Sequence, residues 1–523
     1  MYRVRQVKVL VENNNLLEMI SKKIKINVKD INNYKILKQS IDARNKNEIY
    51  YVYEVVVDVN TKLKLSNDIL EYKEEKYILP KEGKEKLKYR PVIVGSGPAG
   101  LFCGLILSRS GYKPIIIERG EDVDNRIKIV EDFWNNNKLN VKSNIAFGLG
   151  GAGTFSDGKL NTLISDSNNR MKFVYETFVE HGAKEDILYS YKPHIGTDIL
   201  VTVIGNIRDE IISLGGSFRF NTCLTDINVV DNKINSVVVN DKEVIDTDIL
   251  VLAIGHSSRD TFRMLYDRKL NMESKPFAVG YRVIHNQDMI NESQYGSKYK
   301  DMLGAATYKL TYKTTNNRGV YSFCMCPGGY VINASSEENK LVVNGMSYNK
   351  RDSKTSNSAI VVQVFPRDYG DGLFDGVKFQ EEIEKRAYDL GKGKIPIQLY
   401  KDFIDNKESS SLEDVIPDIK GAWTFSNLNG LLPSYLNDSI KEAFISFDKK
   451  IKNFSKCDTI LVGVETKTSS PIRIIRDDNY LSNIAGIYPC GEGAGYAGGI
   501  TSAAIDGIKV AESIISKYMK IGD

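Results

Sequence analysis

The stretch Val92-Ile93-Val94-Gly95-Ser96-Gly97-Pro98-Ala99-Gly100, followed by Pro114-Ile115-Ile116-Ile117-Glu118, decides the fold. Two apolar runs, Pro91–Val94 and Pro114–Ile117, flank a helical pattern from Pro98 to Ser110. Strands apolar on both faces belong to parallel sheets covered by helices, so this is one βαβ unit. Gly95 permits the tight turn and Gly97 lets a pyrophosphate approach the backbone. Gly100, with Gly104 one turn on, lets the helix pack closely on the sheet. The helix N-terminus that follows offers unsatisfied N–H groups and a partial positive charge to the phosphates. Glu118, at the end of the second strand, is placed to accept from both ribose hydroxyls and to repel a 2′-phosphate.

Outward from this unit, residues 1–80 read as a small α+β domain. A strand at Tyr2–Leu10, a helix near Leu16–Lys23 and a hairpin of alternating residues (37–44 and 51–59) suggest a ferredoxin-like half-sheet. Residues 81–88, charged and turn-prone, read as a solvated linker. Residues 89–270 form the first part of the nucleotide domain, with a helix from Asp198 (as N-cap) to Leu214 and a buried strand at Ile249–Ile254. Residues 271–463, with a helical stretch near Phe379–Leu390, form an inserted domain. Residues 464–523 return to the strand–glycine–helix style. The expected fold class is α/β: a Rossmann-like dinucleotide domain of glutathione-reductase type, an inserted α+β substrate domain and the N-terminal α+β domain.

The 523 residues hold 71 Lys+Arg against 67 Asp+Glu, so the net charge is only +4. No broad basic footprint for nucleic acid or an anionic membrane surface follows from that balance. No apolar run approaches the roughly 18 residues of a membrane helix, and the N-terminus lacks the apolar core of a signal peptide. Six scattered cysteines argue against a disulfide framework and for a reducing, cytoplasmic location.

Two further stretches match the glycine pattern. Gly148-Leu149-Gly150-Gly151-Ala152-Gly153 has no strand before it and no helix-opening sequence after it; a loop lying against a cofactor and an ordinary surface loop are both compatible readings. Gly493-Ala494-Gly495-Tyr496-Ala497-Gly498 lies between a strand and a helix, but no second strand follows to carry a ribose acid. One complete fingerprint and no second favours FAD over NAD as the tightly held cofactor, with NAD(P)H as a transient co-substrate.

Val92–Gly100 with Ile117-Glu118-Arg119-Gly120 resembles the start of FAD-dependent oxidoreductases. Leu250–Ser257 and Gly486–Gly493 resemble that superfamily's second and third motifs. More narrowly, Gly150–Thr162, Tyr321–Glu337, Val464–Arg473 and Tyr488–Gly507 are similar to a family of bacterial FAD-dependent, or NAD(FAD)-utilising, dehydrogenases. The resemblance covers nearly the whole chain and implies a cofactor and a reaction class but no substrate. It implies that Gly95, Ser96, Gly97, Pro98, Ala99 and Gly100 cradle the pyrophosphate, with Glu118 and Arg119 at the adenosine. Gly255, Gly491 and Glu492 would meet the phosphate or ribityl end. Gly498, Gly499 and Ile500 would face the pyrimidine edge of the flavin. Gly151, Gly153, Thr154 and Lys159 would lie near the remaining ring.

Flavin carries the electron chemistry, so the protein needs chiefly to bind, orient and move a proton. Cys324 and Cys326, two apart on a strand, would stand about 6.6 Å apart, against the ~3.8 Å between Cβ atoms of a disulfide. A disulfide inside this pair therefore needs a bend. No second cysteine pair completes a zinc or iron–sulfur set, so no metal is expected. Cys324, Cys326 and Cys490 read either as substrate-facing or redox thiols or as buried small hydrophobes. Among the histidines, His194 and His256 are candidates to touch substrate or flavin, although each reads more readily as a satisfied structural group; Arg282 and His285 sit where the inserted domain begins. The segment Glu465–Arg473 suits a carboxylate-bearing substrate, the alternative being a solvated turn with Arg473 in an ion pair. Lys159, His194, Arg282 and Arg473 complete the catalytic candidates.

The expectation is an FAD-dependent oxidoreductase transferring hydride through flavin N5 to or from a small molecule, with no nucleic-acid or membrane partner. Alternatives are an FAD-dependent RNA-modifying enzyme and a flavin electron relay that docks a redox partner through its N-terminal domain. Gly97→Asp places bulk and negative charge where the pyrophosphate approaches. The variant is expected to emerge colourless from desalting, checked by flavin absorbance; retained flavin would contradict this placement.

Overall fold

The computed structural model describes residues 1–13, 15–162 and 164–521; the last two positions of the 464–523 segment lie outside the described residues. A parallel sheet runs Ile487–Pro489, Leu250–Leu252, Val92–Val94, Ile115–Ile117, Ser217–Arg219. The two apolar runs of the fingerprint sit in it side by side, and Val92, Ile93, Ile116, Val251 and Ile487 have no exposed surface. From Val92–Val94 the next two strands extend to one side and the two later ones to the other. Open α/β sheets bind ligands at such a reversal, outside the carboxyl ends of the strands. Gly95 begins there.

The helix Pro98–Arg109 packs against the last helix, Ile500–Lys517, and both share one apolar core with the sheet. Both approaches are close enough to demand glycine. A Cβ on Gly100 would stand 1.9 Å from the Gly95 carbonyl oxygen, and one on Gly507 would stand 2.1 Å from that of Ala99.

An antiparallel ladder of Met272–Ser274 with Ile472–Ile474 carries the chain out to an inserted region and back. That region centres on a seven-stranded sheet ordered Thr311–Lys313, Gly319–Cys326, Thr355–Val364, Phe277–Asn286, Ile460–Glu465, Ile395–Leu399, Trp423–Phe425. The helices Asp375–Gly391 and Ser434–Asp448 share its apolar core. The N-terminal unit is a four-stranded antiparallel sheet ordered Ile31–Asp42, Tyr50–Val59, Tyr2–Leu10, Ile69–Glu71, with the helix Leu16–Ile24 on it. This is the strand order of a βαββαβ unit in which a loop replaces the second helix. Its edge strand meets the rest of the chain where Gln39 exchanges backbone hydrogen bonds with Tyr189 and Tyr191 at 2.7 and 2.8 Å.

Several local expectations need correction. The helix expected from Asp198 spans Thr197–Ser213 with Gly196 at its cap; the Asp198 carboxylate instead accepts the Asn349 N–H at 2.8 Å. The charged segment before Tyr89 is exposed in its side chains but not free in its backbone. Gly83 and Glu85 donate to the carbonyls of Ile515 and Lys517, and Met519 donates back to Glu85. The helices Val123–Asn136, Arg170–Glu180, Arg259–Asp267, Gln287–Tyr295 and Ser434–Asp448 are among those not expected from the sequence. The first carries a legible start signal, Asp122, whose carboxylate accepts the Val123 N–H. No helix among the described residues is long and apolar enough to cross a membrane.

Gly100→Ala presses a methyl group onto a backbone carbonyl that no rotamer change can relieve. It is expected to cost about 1–3 kcal/mol in urea unfolding, whereas Gly430→Ala, with open space around the added carbon, is expected to change stability by less than about 0.5 kcal/mol.

Candidate functional site

One continuous cleft begins at Gly95–Ala99, passes the ends of the parallel strands at Ile117–Arg119 and Ala253–Ser258, and reaches the inserted region at Phe323, Cys324, Asn344, Glu465, Lys467 and Thr468. Its walls include the second glycine segment (Gly151, Ala152, Gly153) and the start of the last helix (Gly498, Gly499, Ile500). The second segment is therefore a loop against the cleft, forming the short turn Gly151–Phe155 with no strand before it.

Arg126 holds that loop in shape. Fully buried, it donates to the carbonyls of Asn144, Ile145, Leu149 and Gly151 at 2.7–3.0 Å. Gly97 is left facing open space: a Cβ there would meet only Gly151 Cα, at 3.9 Å, and one on Gly255 or Gly498 would meet nothing within 4 Å. Backbone thus borders the cleft where phosphate groups need N–H donors. His256 Nδ1 and Glu492 Oε2, from the second and third motifs, meet across it at 3.3 Å.

Glu118 lies buried at the cleft but is already engaged. One oxygen accepts the Ser96 N–H at 3.0 Å and the Ser96 hydroxyl at 2.7 Å; the other accepts the N–H groups of Gly120 and Gly148 at 3.0 and 2.9 Å. A carboxylate offers about four such places. A ribose hydroxyl gains one only when the Ser96 hydroxyl, the one rotatable donor of the four, turns away. Arg119 lines the same end, bonded to Asp260 and Thr261 at 3.0 and 2.9 Å and stacked on Phe147.

At the far end, Arg282 organises the chemistry from below. It has no exposed surface. Its Nε donates to Glu465 at 2.9 Å, Nη1 to Asn357 Oδ1 at 2.8 Å and to the Cys324 carbonyl at 3.1 Å, and Nη2 to Asn344 Oδ1 at 2.7 Å. Burial nevertheless raises the Glu465 carboxyl to about 7, despite the opposing pull of Arg282. The Cys324 thiol is drawn down to about 5, first by a hydrogen bond from Cys326 and then by the charges of Lys159 and Arg282. Lys159 pairs with Asp157 at 3.1 Å and donates to the Met325 carbonyl. Arg351 holds Asp157 from the other side.

Of the sequence candidates, Gly95, Ser96, Gly97, Pro98, Ala99, Glu118, Arg119, Gly151, Gly153, Lys159, Gly255, His256, Cys324, Cys490, Glu492, Gly498, Gly499 and Ile500 all border the cleft. The remainder do not. Gly100 is packed beneath its helix, and Thr154 is buried, its hydroxyl on the Leu149 carbonyl. The Gly491 N–H is taken by Asp506 at 2.7 Å. His194 is bound to the Asn349 carbonyl at 3.0 Å, and Arg473 pairs with Glu273 at 2.9 Å, the ion-pair reading of that segment. Arg282 and Cys326 lie behind the wall rather than in it. Cys490, although it borders the cleft, is buried, and burial raises its thiol well above the usual range. Glu465, Asn344 and Asp157 were not singled out in the sequence. Glu465 lay inside a flagged segment, but nothing local distinguished it from its neighbours.

The class these features define is a Rossmann-type dinucleotide protein whose cleft ends on an inserted sheet. A family model described as "FAD-dependent protein, C-terminal domain-like" matches residues 276–468, and a domain of unknown function matches residues 1–58. An uncharacterised protein of Clostridium beijerinckii is 49% identical over 516 residues, covering 96% of each chain. The chain belongs to this family of bacterial FAD-dependent proteins. Among solved structures, glycine oxidase from Bacillus cereus aligns with 83% of this chain and 99% of its own at 11% identity and a TM-score of 0.35. L-amino acid deaminase from Proteus vulgaris aligns with 86% and 94% at 10% identity and the same TM-score, 0.35. Both likenesses are too distant to carry an argument about activity.

Arg282→Met strands Glu465, Asn344 and Asn357 in the interior. Breaking such a buried pair typically costs about 3–5 kcal/mol. Denaturant unfolding is expected to show a loss of that order at pH 8 and a smaller one at pH 5, where Glu465 is protonated and no longer leaves an unpaired charge.

Proposed function

We propose that this protein is an FAD-dependent oxidoreductase of glutathione-reductase-type architecture that moves an electron pair between NAD(P)H or a comparable donor and a small molecule. The observation that carries the reading is the continuity of the cleft, from the glycine turn at Gly95 to a floor bearing Cys324, Glu465 and Lys467. The residues fit the cofactor. A backbone-lined passage at Gly97 and Gly151 suits a pyrophosphate, and the helix beginning at Ile500 presents its positive end to the ring region. Bound FAD supplies two-electron chemistry, taking or giving hydride at N5.

The chain's own residues supply the rest. Arg282 fixes Glu465 against the cleft, and Glu465, titrating near neutrality, gives or removes the accompanying proton. Lys467 also lines the cleft, its Nζ on the Ser336 hydroxyl at 2.8 Å, and burial lowers its pKa from the ordinary lysine value. Thr501 ties the start of the last helix to the Lys159 loop by donating to the Leu160 carbonyl at 2.7 Å, which holds the two walls together.

The purified protein is expected to be yellow and to bleach anaerobically with NADH or NADPH; a colourless protein that FAD does not reconstitute would overturn the reading. In the reductive direction Glu465 must enter protonated. The turnover rate is then expected to be full below pH 7 and to fall as pH rises through about 7, with Glu465→Gln losing that limb while keeping its flavin.

A further inference from the structure

The strand Gly319–Cys326 is broken in the middle of the catalytic wall. Phe323 pairs with Ala359 and Cys326 with Asn357, so three steps on one strand face two on its neighbour. This is a β-bulge, a device that re-aims side chains and concentrates near active sites. Cys324 stands in it at φ +45°, a left-handed conformation that a side chain larger than glycine adopts only under strain. The bulge supplies the bend that an ordinary strand lacks: the Cys326 thiol turns back onto Cys324 and donates to its carbonyl at 3.3 Å.

The two sulfurs differ in setting. Cys324 borders the cleft, whereas Cys326 is fully buried behind it. Positive groups surround the pair: Lys159 sits on the Met325 carbonyl between them, and Arg282 holds the Cys324 carbonyl and reaches Cys326 Sγ at 4.0 Å. The neighbouring Cys326, and then the charges of Lys159 and Arg282, draw the Cys324 thiol down, while Cys326, hydrogen-bonded and desolvated, is pushed up and keeps its proton. A cleft-facing thiolate backed by a protonated thiol is the arrangement of an attacking and a resolving cysteine.

The geometry points to Cys324 and Cys326 as an internal dithiol–disulfide couple that exchanges two electrons with bound FAD and opens small disulfides entering the cleft. The inference rests on FAD occupying the cleft, as proposed above. The Cys324 thiolate attacks one sulfur of the entering disulfide; the new S–S bond forms, the substrate S–S bond breaks, and the released thiolate takes a proton. Cys326 then gives up its proton and attacks the Cys324 sulfur, and the second substrate thiolate leaves with that proton. The Cys324–Cys326 disulfide takes two electrons from reduced flavin. The two protons released with them restore the Cys326 thiol and replace the one consumed by the first leaving thiolate. One disulfide and one reduced flavin thus yield two thiols and one oxidised flavin, with NAD(P)H or a comparable hydride donor renewing the flavin.

The test weighs the peptide bearing both cysteines. Holoenzyme is treated anaerobically with bis(2-hydroxyethyl) disulfide, quenched in acid, alkylated with iodoacetamide, digested and analysed by mass spectrometry. The expected peptide is unalkylated and lighter by two hydrogens, and becomes doubly alkylated when the flavin is photoreduced before quenching. Cys326→Ser is expected instead to hold one hydroxyethylthio group on Cys324, and Cys324→Ser to hold none. Full alkylation after disulfide treatment of a yellow protein would overturn the couple, as would a disulfide that survives complete bleaching of the flavin. A colourless protein that FAD does not reconstitute overturns the cofactor reading and the couple with it, a result the visible spectrum separates before any thiol chemistry.

Discussion

A buried guanidinium under the cleft sets the geometry of everything above it. Arg282 lies on the strand Phe277–Asn286, in the middle of the seven-stranded sheet, and reaches Glu465, Asn344, Asn357 and the Cys324 carbonyl. These belong to four other strands, so one planar cation fixes their mutual positions. Arginine suits the task because its donors form a rigid fork that remains charged when buried. The surroundings are shaped to it: a Cβ on Gly345 would stand 2.3 Å from Arg282 Nη1. Such a pair is a weak source of net stability, since desolvation offsets most of the attraction. Its value here lies in placement, holding a carboxyl that titrates near neutrality and a strained thiol on the same wall.

The opposite wall follows the same logic with another arginine. Arg126 collects carbonyls from Asn144 to Gly151, a stretch with no regular hydrogen bonding of its own, and so gives an irregular loop a defined surface. The Trp134 and Phe155 rings pack edge to face beside it. The cleft is therefore bounded on one side by backbone and on the other by charged side chains. Backbone suits close approach of phosphates, and side chains with shifted protonation suit chemistry. The division of labour matches the division of the chain into a nucleotide unit and an insertion.

Much of the nucleotide unit was legible in the sequence because its determinants are local. The strand at Val92–Val94, its glycines, the helix Pro98–Arg109 and the second strand ending at Glu118 occupy fewer than 30 residues, and each residue's role depends on near neighbours. The helix Val123–Asn136 carries both a cap at Asp122 and apolar residues at helical spacing, Val123, Ile127, Val130 and Trp134, but nothing local marks Arg126 as the residue that shapes the neighbouring loop. The sequence places Glu118 at the strand end but not the groups that occupy its carboxylate. Its donors from Gly120 and Gly148 come from a loop whose path the sequence does not show. His194 and Arg473 carried the right residue types, yet their partners, the Asn349 carbonyl and Glu273, lie 155 and 200 positions away.

By itself the sequence determined the kind of fold, the presence of one complete dinucleotide fingerprint and the three glycine segments that border the cleft. These depend on periodicity and on steric demands within a few residues. Only the tertiary structure decided which polar groups meet at the reactive end. Arg282 and Glu465 are 183 positions apart, and Lys159 and Met325 are 166. Their protonation states follow from burial and from one another's charge, which exist only once the insertion closes over the sheet. The bend that brings Cys324 and Cys326 together is of the same kind: it arises from a mismatch with the neighbouring strand, and a strand read alone has no neighbour.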